Sequence, residues 1–138
     1  MSFELKSKSD DSKFSFSGTG WSFCLILAEQ FGWVPEGTKK PKGFGLFKKW
    51  SGNYDSSEGQ YVSSSDAMKI ADSIEAALKS ETLEVQAKNV ASMIEEGVRK
   101  ALGELPASYK VQAEVNDGFM SYYQDFVSFC RKGSFSIN

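Results

Sequence analysis

The chain has 138 residues, 41% hydrophobic and 25% charged, with a net charge of −2. That length suits one globular domain spanning 1–138, and the composition excludes a disordered chain. The absence of histidine excludes Ser-His-Asp and Cys-His catalysis and imidazole-bound metal within the chain.

Eleven Phe and three Trp supply large core residues, so the fold needs no metal or disulfide staple. Cys24 and Cys130 lie in apolar helical patterns, where a thiol behaves as a small hydrophobe, and their spacing does not demand a disulfide. No metal site and no cofactor motif is expected. Residues 1–8 carry no apolar signal region, and the run Phe23–Ala28 is far too short to span a bilayer. The expectation is a cytoplasmic protein with no membrane partner, and the acidic pI of about 5.2 disfavours nucleic acid.

In chain order, Phe3 and Leu5, and more clearly Phe14 and Phe16, alternate with polar residues around a solvated loop at 6–12. Such alternation suits short extended segments. Ser17 or Thr19 is expected to cap a helix over 21–33 that is apolar nearly all round. Trp21, Cys24, Leu25, Ala28 and Phe31 share one side, and Phe23, Ile26 and Leu27 take the others. A helix of that kind wants neighbours on most sides and is expected at the centre of the fold. Gly32 and Pro35 stop it.

Residues 34–47 are rich in Gly and Pro and read as loop, residues 51–54 read as a turn, and 59–62 as a brief extended stretch. A second helix opens at Ser63, Ser64 or Ser65, with Asp66 in its first turn. Its small apolar face runs through Ala67, Ile70, Ala71, Ile74, Ala77 and Leu78. A third helix over much of 83–102 carries Leu83, Ala87, Val90, Ile94, Val98 and Ala101 on its face, with Gly97 among them. Residues 107–114 are loop or one extended segment. A fourth helix follows Asn116-Asp117-Gly118, with the aromatic face Phe119, Tyr122, Tyr123, Phe126 and Phe129. The small-faced and aromatic-faced helices are expected to pack together. Phe135 and Ile137 suit a last short strand, expected to pair with residues 13–17.

Three pieces taken together resemble a group of small uncharacterised bacterial proteins. They are Trp21 through Gly32, Trp33, Pro35, Gly37 and Thr38; Gly52-Asn53-Tyr54 with Gly59, Gln60, Val62, Asp66 and Ala67; and Phe129-Cys130-Arg131 with Gly133, Phe135 and Ile137. The resemblance implies a bacterial or phage origin and a single compact domain. It brings no activity and no catalytic residue.

The strongest candidate binding site is Lys39, Lys40, Lys42, Phe44, Phe47, Lys48, Lys49 and Trp50, five lysines interleaved with three aromatics. That mixture suits an acidic protein surface or single-stranded nucleic acid. The plainer reading is that the rings anchor the loop to the core while the lysines solvate it. Glu29 is a candidate buried acid on the apolar helix; burial would raise its pKa and mark a site for carboxylate or Tyr chemistry, whereas the plainer reading is that Glu29 and Gln30 mark the one wet edge of the helix. Gly18-Thr19-Gly20 opens a helix and offers N–H groups to an anion, although ordinary capping explains it as well. Asp55 and Glu58 lack the ligand count of a calcium loop. Tyr122 and Tyr123 suit a ligand platform or the core.

The expected fold is mostly α: about four helices around helix 21–33, with a minor β element from the terminal segments. The alternative is an α+β fold in which residues 1–16, 60–62, 107–115 and 134–137 form a larger sheet. The leading functional expectation is a small protein-binding or inhibitory protein without catalysis, of the immunity or accessory kind. The alternatives are a single-stranded nucleic-acid binder using loop 39–50 and an enzyme with its pocket near Glu29. One structural question divides these readings. Either loop 44–50 and the terminal strands close over Phe23, Ile26 and Leu27, or another chain does.

Overall fold

The computed structural model describes residues 2–138. Among these the chain forms four α-helices and one four-stranded antiparallel sheet, an α+β architecture. The elements in order are β1 (Ser2–Ser7), β2 (Lys13–Ser17), α1 (Gly18–Gln30), β3 (Gln60–Val62), α2 (Ser64–Lys79), α3 (Leu83–Leu102), α4 (Asp117–Cys130) and β4 (Phe135–Ile137). The four helices lie where the periodicity puts them. The sheet is more than a minor terminal element, since it recruits residues 60–62 from mid-chain. Residues 107–115 stay outside it.

Strand order is β2-β1-β4-β3. β1 and β2 form a local hairpin, with Phe3 opposite Phe16 and Leu5 opposite Phe14. The expected pairing of 135–137 with 13–17 is therefore replaced by pairing with β1, Leu5 facing Ile137 and Ser7 facing Phe135. The reason is order of closure: β2 takes the near side of β1 through a short turn, leaving only the far side for the chain end. β4 is then central and bonds β3, with Val62 opposite Phe135. Period-two alternation puts Phe3, Leu5, Phe16, Val62, Phe135 and Ile137 on the buried face, while Glu4 and Lys6 face out.

α1 starts three residues before the expected 21. The Ser17 hydroxyl accepts a hydrogen bond from the Gly20 N–H at 2.9 Å, so Gly18-Thr19-Gly20 is the first helical turn. The helix ends in a Schellman motif: the Gly32 N–H donates to the Glu29 carbonyl at 3.2 Å and the Trp33 N–H to the Ala28 carbonyl at 3.0 Å. Gly32 has φ of 103°, where a side chain would be strained. This turn throws Trp33 out of the helix and into the interior, where it is 3% exposed.

One hydrophobic core takes residues from every element. Trp21, Phe23, Cys24, Leu27 and Ala28 of α1 are buried in it. Phe23 meets Phe119 and Tyr123 of α4, with ring centroids 6.2 and 6.4 Å away. The side of α1 in question is thus closed at Phe23 by α4 and not by loop 44–50, while Ile26 remains half-buried. The small face of α2 packs on the aromatic face of α4, as complementary side-chain sizes require. Arg131 ties the two together, donating to Asp72 at 3.0 Å and lying 3.5 Å from Glu75. Cys24 and Cys130 are both buried and unbonded. The far half of α3 leaves the core: Met93 and Leu102 are exposed, and a side chain at Gly97 would meet nothing within 4 Å.

Candidate functional site

The long segment 31–59, between α1 and β3, has no regular secondary structure and is held by polar side chains instead. Asp66, in the first turn of α2, is fully buried (0% exposed). Its Oδ1 accepts the Trp33 indole N–H at 2.8 Å and its Oδ2 accepts the Tyr54 hydroxyl. The Tyr54 hydroxyl in turn accepts the Gly37 N–H at 2.9 Å, and the Tyr54 carbonyl accepts the Trp21 indole N–H at 2.7 Å. Three rings and one carboxylate thereby fasten both ends of the segment to α1 and α2. Burial, and then the bond to Asp66, push the Tyr54 phenol above its ordinary range, so it stays a donor.

Two further buried polar groups fix the middle. The Thr38 hydroxyl donates to the Asn53 carbonyl at 2.6 Å and accepts the Trp50 indole N–H at 3.0 Å. The Gln60 amide donates to the Ser56 carbonyl at 2.6 Å and accepts the Glu58 N–H at 3.0 Å. Gly37 and Gly52 let the two arms cross closely: a Cβ on Gly52 would lie 3.6 Å from the Gly37 Cα, and φ there is 80°. No buried side-chain nitrogen or oxygen among the described residues lacks a partner. The base of the loop is therefore a satisfied polar network, the condition under which buried polar groups rigidify rather than destabilise.

Above this base the tip is different. Phe44 and Trp50 are half-buried and pack edge to face, with centroids 5.3 Å apart. They hold the loop to itself and are not part of the hydrophobic core, which differs from the plainer reading that they anchor it there. Phe47 does not: it is fully exposed (102%), and its neighbour Leu46 is 85% exposed. Lys39, Lys40, Lys42, Lys48 and Lys49 are also exposed, and none forms an ion pair among the described residues. Lys39 belongs to the base by its backbone, exchanging hydrogen bonds with Tyr61 at 2.8 and 3.1 Å. The eight predicted residues thus divide. Phe44, Trp50 and the Lys39 backbone build the platform, and Phe47 and the lysine side chains are presented on it. Leu46 was missed by sequence reasoning, although its neighbours Gly45 and Phe47 already marked an apolar pair at a loop tip.

Glu29 is exposed, which corrects its reading as a buried acid. It lies in the last turn of α1, where the Schellman turn leaves a wet edge. The buried carboxylate is instead Asp66, whose two side-chain donors make it structural. Asp55 and Glu58 are exposed, and no cluster of three or more Cys, Asp or Glu able to hold a metal occurs among the described residues. No helix among them is long and apolar enough to cross a membrane. A cleft of about 600 Å³ lies between the N-termini of α1 and α4, on a different part of the surface from the lysine-bearing tip. No protein-family model, curated protein or solved structure matches the chain, so no residue's role is carried over from a relative.

Proposed function

We propose that this is a non-catalytic binding protein that docks an acidic protein partner through the 42–49 tip. The observation that carries this reading is the exposed pair Leu46-Phe47 on an ordered base, surrounded by unpaired lysines. Leaving a Phe side chain in water forgoes about 2 kcal/mol of burial free energy, which a partner with an apolar pocket recovers. The lysines supply charge complementarity around that pocket and steer the encounter. The Thr38–Trp50 and Phe44–Trp50 contacts fix the platform before binding, so less ordering entropy opposes association. Such a protein acts by covering a partner's surface, as an inhibitor or accessory subunit does. The nucleic-acid reading has less support, because successive bases need successive rings. Phe44 and Trp50 are spent on one another, and Phe47 alone is left.

The test is affinity capture from the organism that encodes the chain, using wild type, Leu46→Ser/Phe47→Ser and Lys48→Glu/Lys49→Glu. The expected result is one acidic protein retained stoichiometrically by wild type, lost from both variants and weakened by salt. Recovery of no stoichiometric protein, or equal retention by all three forms, overturns the proposal. Retention abolished by nuclease assigns the tip to nucleic acid instead.

A further inference from the structure

The cleft between the N-termini of α1 and α4 is independent of the loop tip. Its floor and walls are aromatic: Phe23, Phe119 and Tyr123, with Tyr122 at the edge. Phe119 and Tyr123 pack at 4.7 Å and Tyr122 stands edge-on to Tyr123 at 5.4 Å, so the walls are preformed. At about 600 Å³ the space falls in the usual range for a small organic ligand.

The polar groups point to the ligand's charge. Thr19 and Gly118 line the cleft from the first turns of α1 and α4, where backbone N–H groups have no intrahelical carbonyl to bond. The first turn of α4 contains Asp117, which offsets its helix dipole, whereas the first turn of α1 contains no acid. Lys110 and Glu114 both line the rim, so the side chains there balance and the α1 terminus tips the field positive. One negative charge suits that balance better than several.

A second observation is independent of the helix ends. Tyr123 is only 5% exposed, and its hydroxyl has no hydrogen-bond partner among the described residues. No side-chain oxygen sealed in the interior lacks a partner, so this hydroxyl keeps some access to solvent, and Tyr123 is a lining residue of the cleft. Tyr122 differs, since its hydroxyl donates to the Ser15 carbonyl on the edge strand. A largely buried tyrosine that lines an aromatic cleft and keeps its phenol as an unspent donor has the form of a ligand contact.

We infer that this cleft binds a small aromatic monocarboxylate, its ring against Phe23, Phe119 and Tyr123 and its carboxylate among the Tyr123 hydroxyl, the α1 N-terminus and Lys110. The test titrates indole-3-acetate, and its neutral isostere indole-3-acetamide, into the full chain, followed by amide NMR shifts and calorimetry. Saturable shifts at Thr19, Gly20, Lys110 and Gly118 are expected, with the amide binding about 10-fold or more weakly. Tyr123→Phe keeps the ring and breaks no internal bond. It should lower affinity about 5-fold, consistent with one lost hydrogen bond, at unchanged melting temperature. Lys110→Gln should weaken binding by about 3-fold. Leu46→Ser/Phe47→Ser should leave this affinity unchanged, which separates the cleft from the loop. Absence of saturable binding, equal binding of acid and amide, or an unaffected Tyr123→Phe variant each overturns the inference.

Discussion

Where segment 31–59 meets β3 and α2, polar Thr38, Gln60 and Asp66 are buried; at the tip of the same segment, Leu46 and Phe47 stand in water. The usual distribution is inverted at both ends of one loop. At the base, each buried polar group has its partners, so the network fixes geometry without an uncompensated desolvation cost. At the tip, no packing within the chain holds the apolar pair. The contrast separates two roles that share a stretch of sequence. Residues of the base can be changed only by altering the fold, whereas residues of the tip can be changed with the fold intact.

The largest effect should come from Asp66→Ala, which leaves the Trp33 indole and the Tyr54 hydroxyl unpaired in the interior. A loss of about 3 kcal/mol in urea unfolding is expected, by the cost of stranding two buried donors. A loss below about 1 kcal/mol would mean that the base is not a structural clamp and would erase the contrast.

A smaller effect should appear with pH. Glu36 accepts hydrogen bonds from Ser63 and Ser65 and pairs with Lys69 at 2.8 Å, which joins the loop to the start of α2. The Lys69 contact first, then Ser65, hold its carboxyl below the ordinary 4.5. A depressed carboxylate stabilises the fold fully above that ordinary value and ceases to as pH falls through the folded one. As pH falls from about 5 to about 3, wild type should therefore lose more stability than Glu36→Gln. Parallel curves from chemical denaturation would show that the pair contributes nothing.

The smallest stability change belongs to the tip. Leu46→Ser/Phe47→Ser should shift unfolding by no more than about 0.5 kcal/mol, since both side chains are already solvated. A large loss would show that the pair packs within the fold and would remove it as a recognition element.

Much of the helical framework was legible. Ser17, Ser63 and Asn116 cap as their residue types suggest, and Gly32 supplies the turn that ends α1. The apolar faces of α2 and α4 are those of the 3.6 period. The candidate site was legible only as a stretch. The sequence placed Phe44, Phe47 and Trp50 in one pattern, and nothing in their spacing separates the two that pack from the one that does not. Asp66 was recognisable as a first-turn acid but not as a buried one, because its donors Trp33 and Tyr54 come from 33 and 12 residues away.

By itself, then, the sequence determined the four helices, the caps at Ser17, Ser63 and Asn116, and the apolar faces of α2 and α4, because caps and periodicity act within a few residues. Tertiary structure alone decided three things: that β4 lies beside β1, that Asp66 gathers the long loop, and that Leu46 and Phe47 face water while Tyr123 lines a cleft. Each of these depends on which distant surface arrives to cover a residue. Short alternating strands and glycine-rich loops leave that choice to the packing of the whole chain.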